Sequence, residues 1–77
     1  MTEYKFEGNI LHIDVPEDVL NHLAGIAITY KLLSKDRVTK AAKQQESFFK
    51  GVLYGLQVGE VIDSDQYHSL YDFFMND

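Results

Sequence analysis

Asp65, His68 and Asp72 are the residues of this chain whose spacing comes closest to a chemical site, because intervals of three and four put all three on one side of a helix. Two carboxylates beside an imidazole could hold a divalent cation, or could form an acid/base pair in which the carboxylate raises the basicity of the ring. No further ligand, nucleophile or glycine-rich phosphate loop stands at a diagnostic spacing, and the chain has no cysteine. We therefore expect no catalytic residue, no metal, no cofactor and no small-molecule substrate. His68 reads as a surface residue pairing with Asp72, and His12 and His22 as isolated surface residues.

The second group is basic. At 100° per residue Lys40, Lys43, Ser47, Lys50 and Tyr54 fall in one narrow sector, with Arg37 and Gln44 on its flank. Arg37, Lys40, Lys43, Lys50 and Tyr54 are the candidate contacts to a nucleic acid or another anion, since basic side chains plus a ring can track a phosphate backbone. The net charge of −5 argues against that use, but its distribution is uneven. Residues 1–30 carry five acids and one Lys, residues 31–50 six bases and two acids, and residues 51–77 five acids and no base. A solvated stripe answered by the acidic ends accounts for the same residues. The last predicted helix bears Asp65 and Asp72 and no basic residue, which makes it a poor recognition helix for DNA. The longest uncharged run, Val19 to Tyr30, is too short and polar to span a bilayer, and the acidic start MTEYKFEG is unlike a signal peptide. A cytoplasmic protein that does not bind membranes is the expectation.

These groups need elements to hold them, and the pattern predicts an α+β fold, mostly helical, in a single small domain over 1–77. A β-hairpin occupies about 3–15. With Gly8-Asn9 as its two-residue loop, Phe6 pairs with Leu11 and Tyr4 with Ile13, and Tyr4, Phe6, Leu11, Ile13 and Val15 share a face. Pro16, Glu17 and Asp18 open a first helix of about 16–33. Its main stripe is Val19, Leu20, Leu23, Ile26, Ala27, Tyr30 and Leu33, whereas Ile28 and Leu32 point the other way. A second helix spans about 36–58, capped by Ser34 or Asp36, or runs on from the first with a kink. Its buried stripe is expected to hold Val38, Ala41, Ala42, both Phe48 and Phe49, Val52, Leu53 and Leu56, with the polar Gln45 among them. Gly51, Gly55 and Gly59, four residues apart, suggest a close neighbour, and Gly59 a helix end. The third helix, about 64–75, has the clearest start: Asp63 caps, Gln66 bonds back, and Ile62 staples against Tyr67.

Apolar surface is left over. Two open hairpin edges, together with Ile10, Ile28, Leu32 and Gln45 as candidate interface residues, favour a homodimer or another protein as partner. The last helical pair, joined by Gly59 to Asp63, resembles the helix-turn-helix ending of many small bacterial or phage accessory proteins. That likeness spans about twenty residues and implies a regulatory or accessory role without assigning a site. The expected function is a small non-enzymatic protein-interaction module. A nucleic-acid-binding regulator using the Lys-rich face of the second helix is the alternative.

Overall fold

Alternation in the first fifteen residues builds two antiparallel strands, β1 (Thr2–Phe6) and β2 (Asn9–Ile13), and three helices follow, α1 (Glu17–Lys35), α2 (Thr39–Val58) and α3 (Ser64–Met75). The structure is a computed structural model and describes residues 1–75. Its architecture is α+β and mostly helical, a hairpin followed by three helices.

The hairpin loop is Glu7-Gly8, not Gly8-Asn9. Both residues have positive φ (49° and 83°), as a type I′ turn requires, and such turns favour glycine second. Tyr4 therefore pairs with Leu11 and Thr2 with Ile13, two residues out of the expected register. Because strand side chains alternate with period two, a slip of two leaves every residue on its expected face. Phe6, Ile13 and Val15 are buried, with Tyr4 and Leu11 packed against the core.

Pro16 gives α1 its first turn, its carbonyl accepting the amides of Val19 and Leu20. A three-residue break separates α1 from α2, so the two are distinct helices. Neither Ser34 nor Asp36 caps α2. Asp36 instead ends α1, and Arg37 takes a left-handed φ of 62° while Val38 N–H returns to the Leu33 carbonyl. This is a Schellman ending, and α2 closes in the same way. Glu60 (φ 61°) is left-handed there, with Val61 N–H bonded to the Leu56 carbonyl, so the glycine expected to end α2 sits one position early, at ordinary φ. The capping box of α3 forms as expected: Gln66 N–H donates to Asp63 Oδ1 (2.8 Å) and Asp63 N–H to Gln66 Oε1 (2.9 Å).

One core joins these elements. Leu20, Leu23 and Ala27 of α1 meet Phe49 and Leu53 of α2 and Leu70 and Phe74 of α3. Phe74 is its hub, edge-on to Tyr4 (5.9 Å) and Phe6 (5.0 Å) of the hairpin and to Phe49 (6.0 Å) of α2. The hairpin thus rests on α3 and α1, held also by Tyr4 O–H donating to Asn21 Oδ1 (2.7 Å) and by the Lys31–Glu7 ion pair (2.6 Å).

Phe48 departs from expectation. Phe49 is sealed in the core, but Phe48 is 54% exposed and Val38 is exposed as well. Successive helical residues lie 100° apart, and the inward sector of α2 is only wide enough for Phe49 and its neighbours one turn away. Gly51 and Gly55 also have no close neighbour, since a Cβ on either would meet nothing within 4 Å. Gln45 is half-buried, and no polar side-chain atom among the described residues is buried without a partner.

Candidate functional site

The flank of α2 that meets α3 is fixed by a cluster of three side chains. Tyr71 O–H donates to Glu46 Oε2 (3.1 Å), Lys50 lies 3.9 Å from Glu46, and the Lys50 ammonium sits 5.4 Å from the Tyr71 ring centre. Burial first, then the hydrogen bond to Glu46 and that carboxylate's charge, push the Tyr71 phenol above its ordinary value. Tyr4 is likewise raised, by burial first and by the charge of Glu17 second.

The expected basic stripe therefore divides. Lys50 is tied into the α2–α3 contact, while Arg37, Lys40 and Lys43 are exposed with no ion-pair partner among the described residues. Tyr54 is exposed on the same side of α2, about three turns beyond Lys43, and is not covered by α3. Asp65, His68 and Asp72 are all exposed on α3, and the described residues contain no group of three or more ligand-type side chains placed to hold a metal ion. A depression of about 390 Å³ lies between the end of α1 and α3, lined by Tyr30, Lys31, Ser34, Lys35 and Met75. No helix among the described residues is long and apolar enough to cross a membrane.

The opposite flank of α2 adjoins α1, as the edge-on contact of the His22 and Phe48 rings (6.4 Å) shows. His22 is thus not isolated. On this side α1 presents Asn21, Gly25, Ile28, Thr29 and Leu32 outward, and α2 presents Gln44, Phe48, Gly51 and Gly55. None is charged, in a chain a quarter of whose residues are. Ile28 and Leu32, one turn apart, are 46% and 58% exposed. Of the four expected interface residues the fold brings these two together. Ile10, also half exposed, lies on the outer hairpin face, and Gln45 is half-buried on α2. Phe48 is the largest side chain of this face and was expected in the core. Its phase gave a weak signal: of the residues one turn away, Gln44, Gln45, Gly51 and Val52, Val52 alone is a large apolar side chain, whereas Phe49 has Val52 and Leu53.

No family model matches the chain, and no curated protein or solved structure matches it at a significant level. The functional reading rests on the geometry of these two faces.

Proposed function

We propose that this chain is a cytoplasmic, non-enzymatic protein-interaction module, and that its binding surface is the charge-free face shared by α1 and α2. The supporting observation is Phe48: a ring more than half exposed, edge-on to His22, on the side of the α1–α2 pair where Ile28 and Leu32 are also exposed. Large apolar side chains left exposed on one face mark interaction sites in soluble proteins. Aromatic anchors inside an uncharged patch are where binding energy concentrates.

A second reading has its own observation. Arg37, Lys40 and Lys43, exposed and without an ion-pair partner among the described residues, with Tyr54 exposed further along the same side of α2, suit an anionic partner such as a nucleic acid. The acidic α3 and the loss of Lys50 to the Glu46–Tyr71 cluster weigh against it.

Affinity capture with the parent chain and with Phe48→Glu separates the two. A stoichiometric protein partner held by the parent and lost from the variant is the expected result. Capture indifferent to Phe48→Glu overturns the proposal. A salt-sensitive gel shift abolished by Lys40→Glu with Lys43→Glu transfers the function to the basic stripe.

A further inference from the structure

We infer that the occupant of the α1–α2 face is a second copy of this chain, packed across a two-fold axis with the α2 helices antiparallel and Phe48 of each copy over Gly51 and Gly55 of the other. This names the partner of the surface proposed above and rests on that reading. An isologous interface needs one patch to carry both a projection and the recess that receives it. Phe48 is the projection. Gly51 and Gly55 are the recess: three and seven residues further on, they lie along the same side of α2, with open space where a Cβ would stand.

The area is in the right range. Helices of 19 and 20 residues are each about 30 Å long and pack about 9 Å apart, so the face projects to roughly 600 Å². A relief of side chains raises the accessible area toward the roughly 800 Å² per partner of a standard interface.

Charge selects the orientation. At the turn between the helices stand Lys35, Arg37 and Lys40, offset only by Asp36. At the other end stand Glu17 and Asp18, in the first turn of α1, and Glu60 just beyond α2. With Gly51 near the axis, antiparallel packing sets Lys40 of each copy against Glu60 of the other, at both ends of α2 together. Parallel packing sets like charge on like, which disfavours that mode.

The absence of cysteine makes the register directly testable. Sedimentation at about 50 µM should give twice the chain mass, and Phe48→Glu, or Leu32→Glu on the α1 half, should weaken self-association at least about tenfold with an unchanged helical circular dichroism spectrum. Under mild oxidation Gly51→Cys, near the axis, should cross-link to its copy, whereas Lys40→Cys, carried to the far end by the antiparallel arrangement, should not. A parent chain that stays monomeric at about 200 µM overturns the inference. So does a dimer indifferent to both Glu variants, or equal cross-linking at positions 40 and 51. A monomer leaves the face open to a different protein, and the capture experiment with Phe48→Glu decides that broader reading separately.

Discussion

Arg37 and Glu60 adopt a backbone conformation that costs an L-residue about 1–2 kcal/mol, because their helices end by Schellman turns without glycine at the left-handed position. Glycine removes that cost but brings more entropy to the unfolded chain, so Glu60→Gly should stabilise by about 0.5–1 kcal/mol, read as a higher urea midpoint at unchanged slope. Arg37→Gly should do the same. The sequence pointed to Gly59 as the terminator, since glycine is the common signal; an acidic residue forced left-handed by its context carries none. Tyrosine chemistry gives a second residue-scale expectation. Tyr4 and Tyr71 hold their protons more tightly in the folded chain than a free phenol with its value near 10. Their contribution to stability is complete below about pH 10 and is lost as the pH rises through the raised folded values. Alkaline absorbance titration should show these two ionising above the free phenol range. Tyr71→Phe should remove one of the two.

At the scale of elements, type and order were legible because each element's period is set by how its side chains face the core. The hairpin shows the limit of that legibility: alternation fixed its faces, while the loop position depended on whether Gly8 comes first or second in the turn. In α2 the period is clear, but the width of the buried stripe is set by its neighbours. The α1–α2 contact and the Glu46–Lys50–Tyr71 cluster cover the sides of α2 around Phe49, and Phe48 falls at the outer edge of the first, touching His22 but still more than half exposed. Local sequence carries no record of how far those neighbours reach. The glycines misled for a related reason, because a small residue marks close approach only where something approaches. Two adjacent rings on one helix should therefore behave very differently. Phe49→Ala empties a fully buried site and should cost about 3–5 kcal/mol, whereas Phe48→Ala in the monomeric state should cost well under about 1 kcal/mol. Paired urea titrations compare them directly, and equal costs would return Phe48 to the core.

For the whole molecule, folding converts a charge pattern along the chain into one across a surface. A basic middle between acidic ends becomes, once α1 and α2 run antiparallel, an uncharged face with a basic turn at one end and acidic residues at the other. In the proposed dimer such a surface would separate two contributions: the apolar centre would supply affinity and the end charges orientation. Linkage makes this measurable without locating the interface. If folded copies associate and unfolded chains do not, the melting midpoint must rise with protein concentration. A hundredfold increase well above the dissociation constant adds about 2.7 kcal/mol per dimer, or roughly 5–10 °C for a domain of this size. The Phe48→Glu chain should melt at one temperature throughout. Salt then identifies the attraction that dominates. At 1 M ionic strength the screening length falls to about 3 Å, so contacts through Arg37, Lys40 and Lys43 would be lost, while an apolar contact centred on Phe48 would persist. A concentration dependence that survives high salt and disappears in Phe48→Glu places the association on the uncharged face, and one that disappears in salt alone places it on the basic stripe.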